Sequence, residues 1–307
     1  MQIGIVGLGR MGGNMARRLA RRKVEVVGFD RSAAIHEQFR DEARITITDS
    51  LATFVAQLKP PRVVWLMLPA GAPSETTVSA LAPLLRAGDV IVDGANAHYK
   101  DSVRRASELA KRDLEFVDAG VSGGVWGLEN GYALMLGGSA EAIERVKPFA
   151  QQLAPAADQG WLHCGPAGAG HFVKMVHNGI EYGMMQGYAE GFALMREKKQ
   201  FSLDLGAIAE CWRHGSVIRS WLLDLTGPLL ADAKAFADTA PVVADSGEGR
   251  WTALEAIELG VPAPVMSLAL MMRFASQGRN DFAARLLAGM RHAFGGHEIT
   301  KKKPSSA

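Results

Sequence analysis

The sequence predicts an α/β fold, a doubly wound sheet followed by an all-α domain. Three observations predict it. Short apolar runs alternate with amphipathic stretches through the first half of the chain, and the first run ends in a glycine-rich turn. Beyond about residue 170 only helical periodicity is left.

The elements follow in order. Residues 2–7, QIGIVG, form a first strand, and Met11, Met15 and Leu19 in RMGGNMARRLARR mark one side of a first helix. VEVVGF at 24–29, PRVVWLML at 61–68, DVIVDG at 89–94 and LEFVDAG at 114–120 repeat the pattern, each leading into polar helical sequence. Strands joined through helices imply a parallel sheet covered on both faces. The glycines and proline of GWLHCGPAGAG, 160–170, read as a domain boundary. Helices are then expected over 169–198 and near 203–213, 216–233, 249–259 and 263–277, with no strand among them. The chain is thus expected to hold a dinucleotide-binding domain at 1–166, a helical domain at 167–290 and a tail at 291–307. The tail's GGHEITKKKPSSA is polar and should be mobile unless something holds it.

Bulk composition excludes several classes. A chain of 307 residues, 48% hydrophobic, can bury a large core in two domains. Its 34 basic and 32 acidic residues give no general case for nucleic acid, and KKKPSSA reads as solvated. Cys164 and Cys211 form no framework, so free thiols in a reducing compartment are expected. No apolar run approaches the ~20 residues of a membrane span, and a strand beginning at residue 2 leaves no room for a signal peptide. The expectation is a cytoplasmic chain.

GLGRMG sets Gly7, Gly9 and Gly12 in the G-x-G-x-x-G spacing, between the first strand and the first helix. In that context the pattern is a Rossmann fingerprint. The first glycine makes the tight turn, the second admits a pyrophosphate, and the third packs helix on strand. Leu8, Arg10 and Met11 complete the loop at the helix N-terminus, whose unpaired N–H groups face the phosphates. Asp30, at the end of the second strand, would bond both ribose hydroxyls and repel a 2′-phosphate, which favours NAD. Arg31 beside it could attract that phosphate, so NADP stays possible, and Asp30 could instead be a turn former.

HFVKMVHNGIEYGMMQ, 171–186, places Lys174, His177, Asn178, Glu181 and Tyr182 three and four apart, on one broad helix face. Gly179 and Gly183 interrupt that helix at a cost of roughly 1 kcal/mol each relative to Ala. A solvated face leaves little helix free for Phe172, Val173, Met175, Val176, Ile180 and Met184. A metal site at His163, His171 and His177 lacks any HExxH-like spacing, and none is expected. A catalytic face lying across from the nicotinamide accounts best for the pattern. Alcohol oxidation needs a base for the hydroxyl proton, and a desolvated lysine can provide it. Lys174 is the candidate base and Glu181 a candidate acid, with His177 and Asn178 orienting a polyol.

DAGVSGGVWGLENG, 118–131, together with that helix resembles the 6-phosphogluconate dehydrogenases, decarboxylating enzymes of the pentose phosphate pathway within the β-hydroxyacid dehydrogenase superfamily. The length matches their short bacterial, NAD-preferring form. The resemblance implies Lys174 as general base and Glu181 as general acid. It implies substrate contacts from Ser122, Gly123, Gly124, His177 and Asn178, and places Asn96 between cofactor and substrate. Leu68, Pro69 and Ala70 match a turn along the dinucleotide, with Pro69 in place of a usual lysine. Tyr182, Arg250, Thr252 and Arg273 fall on phosphate-binding positions, Arg250 again replacing lysine, and bidentate arginines suit a phosphate. Arg291 and His297 match a tail that reaches a neighbouring subunit's site, which implies a homo-oligomer, dimer or tetramer. Met184 stands where long forms carry aspartate.

The implied reaction oxidises C3 of a phosphorylated sugar acid, with Lys174 taking the hydroxyl proton. Carbon dioxide then leaves from the 3-keto acid, and Glu181 protonates C1 of the enediol. The close rival is a 3-hydroxyisobutyrate-type enzyme, which should lack Glu181 and the arginine cluster. A rival of another class is a nicotinamide-binding protein without catalysis, against which Lys174 and Glu181 together argue.

Overall fold

A computed structural model describes residues 1–232, 234, 237–295 and 298. The chain divides into two compact units, Met1–His177 and Asn178–Ala307.

In the first unit eight strands form one sheet in the order β3-β2-β1-β4-β5-β6-β7-β8. They are β1 (Gln2–Val6), β2 (Glu25–Phe29), β3 (Ile45–Thr48), β4 (Val63–Leu66), β5 (Val90–Asp93), β6 (Glu115–Ser122), β7 (Ala133–Gly138) and β8 (Trp161–Gly165). The helices are α1 (Arg10–Arg21), α2 (Ala33–Gln38), α3 (Leu51–Gln57), α4 (Ala72–Leu81), α5 (Tyr99–Ala110), the single turn α6 (Gly127–Asn130), α7 (Ala140–Leu153) and the start of α8 (Ala169–Glu197). The five expected strands are present, and three more join them. β3 is a four-residue edge strand, too short for its alternation to stand out. β7 runs antiparallel to β6, and β8 parallel to β7, so the sheet is not wholly parallel as expected. WLHCG, read as part of the boundary, is therefore the last strand of the sheet.

Both faces of the central strands are dry. One carries Ile3, Ile5, Trp65, Val90, Val92 and Val117 against Met15 and Leu19 of α1 and Val146 of α7. The other carries Val6, Val64, Leu66 and Ile91 against Phe54 of α3 and Leu81 of α4. Strands covered on both sides lose the polar/apolar alternation and read as continuous apolar runs, as the sequence shows. Buried arginines are satisfied by an ion pair or by backbone carbonyls. Arg62 donates to Asp89 at 2.9 Å, and Arg18 spends its guanidinium on the carbonyls of Leu128, Glu129, Gln152 and Ala154.

The second unit continues α8 into α9 (Leu205–Arg213), α10 (Trp221–Ala231), α11 (Glu248–Glu258), α12 (Pro264–Ser276) and α13 (Asp281–Gly295), and its described residues include no strand. Its cores are small. Tyr182, Ala253, Ala269 and Leu270 form one, and Phe192, Ala209 and Leu223 another. Gly179 has a packing reason here, because a Cβ at that position would lie 2.7 Å from Thr252 Cγ2. Large apolar side chains remain exposed on its helices, among them Ile257 (77%), Leu268 (59%) and Phe282 (79%). Among the described residues no helix is long and apolar enough to cross a membrane.

Candidate active site

The glycine loop behaves as its spacing demands. Gly7 sits at φ +88°, and a Cβ there would meet the Met67 carbonyl oxygen at 2.5 Å. A Cβ on Gly12 would lie 1.9 Å from the Gly7 carbonyl oxygen, so helix and strand approach only because it has none. At Gly9, by contrast, nothing lies within 4 Å, which leaves that backbone open to a ligand. A cleft of ≈ 230 Å³ opens there, lined by Gly7, Gly9, Asp30, Arg31, Leu68 and Pro69 among others. Leu8, Arg10, Met11, Gly12 and Ala70 flank rather than line it. The Asp30 carboxylate accepts from the Leu8 N–H at 2.8 Å and from the Ser32 N–H at 2.9 Å. Asp30 thus shapes its turn and faces the cleft at once, so the two readings of it do not compete. The residues present fit a dinucleotide: an open glycine backbone at a helix N-terminus, with a carboxylate at the end of the next strand.

A second constellation comes from β6 meeting the first turns of α8. Alternate strand residues share one sheet face, and helix residues three apart share one helix face. Asp118, Gly120 and Ser122 accordingly meet His171, Lys174 and His177. The Asp118 carboxylate accepts from Gly168 N–H at 2.6 Å and His171 N–H at 2.7 Å, capping α8 with a side chain from a distant strand. Burial pushes that carboxyl up from its ordinary range, against the lowering effect of His171 and of the two amide bonds. Gly120 makes room for the lysine stem, since a Cβ there would stand 2.4 Å from Lys174 Cβ. Lys174 is only 9% exposed, which removes the solvated-face reading for it. Its Nζ lies 3.3 Å from His177 Nδ1, and His177 Nε2 is 3.4 Å from Ser122 Oγ. Ser122, His177 and Lys174 thus form one hydrogen-bonded chain.

His163 and His171 do other work. His163 Nε2 lies 3.0 Å from the Gly138 carbonyl, and His171 Nδ1 lies 2.7 Å from Ser102 Oγ on α5. Among the described residues no group of three His, Cys, Asp or Glu side chains could hold a metal ion. Gly123 and Gly124 follow Ser122 at positive φ, and Asn96 is exposed just beyond β5.

Within the second unit Tyr182, Arg250, Thr252 and Arg273 gather around α11 and α12. The Arg273 guanidinium carbon stacks 3.3 Å from the centre of the buried Tyr182 ring, and its Nη1 donates to the Ala244 carbonyl at 2.8 Å. Tyr182 Oη is 3.2 Å from Ser246 Oγ. Arg250 pairs with Asp245 at 2.6 Å, while the Thr252 hydroxyl donates to the Glu248 carbonyl at 2.8 Å. Burial raises the Asp245 carboxyl, but Arg250, the Gly247 N–H and Arg273 together hold it below the usual range. Asn178 and Glu181 are half-buried on α8, and Arg291 is exposed on α13. His297 lies outside the described residues.

Asp118, Gly120 and His171 were not assigned these roles from sequence. The signal was there: DAGVS, read at period two, puts Asp118, Gly120 and Ser122 on one face. What was missing was the partner, about fifty residues away.

The chain matches two family descriptions in tandem: the NAD binding domain of 6-phosphogluconate dehydrogenase over residues 2–164, and the 6-phosphogluconate dehydrogenase C-terminal domain over 170–290. It is 41% identical to an NAD(+)-dependent, decarboxylating 6-phosphogluconate dehydrogenase of Haloferax volcanii, over 98% of this chain and 99% of that one. An NADP(+)-dependent, decarboxylating relative from Bacillus subtilis is 36% identical over 94% of this chain but only 64% of its own length. Among solved structures, Plasmodium falciparum 6-phosphogluconate dehydrogenase superposes with a TM-score of 0.84 at 28% identity, covering 100% of this chain and 67% of that one. With both halves matched in order and a relative aligned end to end, the chain belongs to the 6-phosphogluconate dehydrogenase family.

Proposed function

We propose that the protein oxidatively decarboxylates 6-phosphogluconate to ribulose 5-phosphate and carbon dioxide, with reduction of NAD. The observation that carries this reading is the buried Lys174, seated against Gly120 and linked through His177 to Ser122. A dinucleotide held by the Gly7–Gly12 loop and Asp30 would supply the hydride acceptor. Lys174, nearly buried beside His177, removes the proton from the C3 hydroxyl as general base. The 3-keto acid then loses its carboxylate as carbon dioxide, with the electrons drawn into the ketone. Protonated Lys174 stabilises the oxygen on which charge develops. Glu181, on the same helix, returns a proton to C1 of the enediol. Ser122, Gly123, Gly124, His177 and Asn178 hold the carboxylate and hydroxyls, with Asn96 at the hydride-transfer end.

Arg250 and Arg273 receive the phosphate beside Tyr182 and Thr252. Both guanidiniums are held by oxygens of the 244–245 segment, Asp245 and the Ala244 carbonyl, which preorganises them for an anion. NAD is favoured over NADP because Asp30 puts a carboxylate in the cleft where a 2′-phosphate would have to sit. The exposed apolar side chains of α11 to α13 are covered by a second copy of the chain. Arg291 and His297 from the tail of that copy complete the site.

The test mixes purified protein with 6-phosphogluconate and NAD or NADP in parallel, following nicotinamide reduction and trapped carbon dioxide. Reduction with stoichiometric carbon dioxide, faster with NAD, is expected. Activity confined to small unphosphorylated hydroxy acids would overturn the phosphate assignment, and faster turnover with NADP would overturn the role of Asp30.

A further inference from the structure

Arg105 lies on α5 and is 1% exposed. Its Nη1 donates to Asp93 Oδ2, and its Nε and Nη2 donate to Glu75 Oε1 at 2.9 and 2.7 Å. The two acceptors belong to different parts of the sheet's upper edge. Asp93 closes β5, and its other oxygen accepts from the Ala95 N–H at 3.0 Å, shaping the turn that presents Asn96. Glu75 lies in the first turn of α4. Beside it, Ser74 donates its hydroxyl to the Pro69 carbonyl at 2.9 Å. Pro69, with Leu68 and Thr77 of α4, forms a wall of the dinucleotide cleft.

One buried guanidinium therefore fastens the cleft wall to the turn carrying Asn96. A planar fork with five donors can satisfy two carboxylates in fixed directions, which an ammonium cannot do. Asp93 is fully buried, so no water can substitute for this contact. Arg104 also reaches Glu75, but from the solvent side, at 44% exposure.

We propose that Arg105 is a positioning residue that couples the seating of the dinucleotide to the placement of Asn96, acting through Glu75 and Asp93. The proposal rests on the nicotinamide reading of the cleft.

Glu75→Ala tests it, because it frees α4 while leaving the Arg105–Asp93 pair in place. Calorimetric titration of the full chain with NAD should show binding on the order of 10-fold weaker than wild type, as for other residues in a contact network. Glu75→Gln retains an acceptor oxygen and should restore most of that affinity. Arg105→Lys keeps the buried charge but loses the fork, so it should weaken binding as Glu75→Ala does and raise KM for the cofactor more than it lowers kcat. Arg104→Ala should bind like wild type. Unchanged affinity in Glu75→Ala, an equal loss in Arg104→Ala, or a fall in melting temperature without change in affinity overturns the proposal alone. A wild-type chain that binds neither NAD nor NADP overturns the nicotinamide reading and this proposal with it.

Discussion

The two units of this chain reach order by different routes. The first buries both faces of the central strands of its sheet, satisfies buried Arg18, Arg62 and Asp118 with hydrogen bonds and forms its own cleft. The second has only small cores and leaves Leu254, Ile257, Val265, Leu268, Phe282 and Leu287 in water. Apolar surface of that extent on successive helices marks an interaction face. The first unit forms its cleft from its own residues; the second leaves apolar helix faces exposed, the faces that the proposed second copy would cover.

Four experiments sharpen or break that contrast. Lys174→Ala should lower turnover about 1,000-fold, the usual scale for a lost general base, while NAD titration stays near wild type. Parallel loss of NAD binding would show that the cofactor cleft depends on the catalytic helix after all. Leu268→Asp places a charge on the exposed face of α12 and should raise the subunit dissociation constant on the order of 30-fold. Sedimentation at several concentrations reads this, and an unaltered assembly would mean that the apolar face is not the interface. Gly12→Ala forces a Cβ against the Gly7 carbonyl and should cost about 1–3 kcal/mol as overpacking, read as a lower melting temperature together with weaker NAD binding. A tolerated alanine would refute the close helix–strand approach.

The smallest effect at neutral pH belongs to Tyr132, whose hydroxyl is buried without a partner. Burial pushes its phenol up to about 12, against the lowering effect of Arg18. The ordinary value in the unfolded chain is lower, so the neutral folded form is favoured. Stability on this account is intact below pH ~10 and declines as pH rises from there toward the folded value, by roughly 2–3 kcal/mol in all. Tyr132→Phe should flatten that decline and add about 1 kcal/mol at neutral pH by removing an unsatisfied hydroxyl. Denaturant unfolding at pH 7 and pH 11 checks both; a variant less stable than wild type would reveal a partner for the hydroxyl.

What was legible in the sequence follows from distance along the chain. Gly7, Gly9, Gly12 and the strand ahead of them interact within a few residues, so their spacing alone carries the geometry of the loop. Asp30 is legible for the same reason, one βαβ unit on. The long helix and the polar face from Lys174 to Tyr182 are likewise properties of a 3.6-residue period. β3, β7 and β8 were not legible. A four-residue edge strand and a glycine-ended antiparallel strand carry little periodicity, and β8 looks like a turn until β7 is beside it.

The sequence by itself determined the α/β-then-α order, the glycine turn and the residue types available for proton transfer, because each is set by local sterics or by period. Only the tertiary structure decided which residues surround them. It brought Asp118 to the start of α8, set Gly120 beneath Lys174, stacked Arg273 on Tyr182 and placed Arg105 between Glu75 and Asp93. Those contacts join residues 12 to 91 positions apart, and β6 illustrates the reason. Its period-two pattern presents Asp118, Gly120 and Ser122 on one face, but nothing in that pattern names α8 as the partner that the packed sheet supplies.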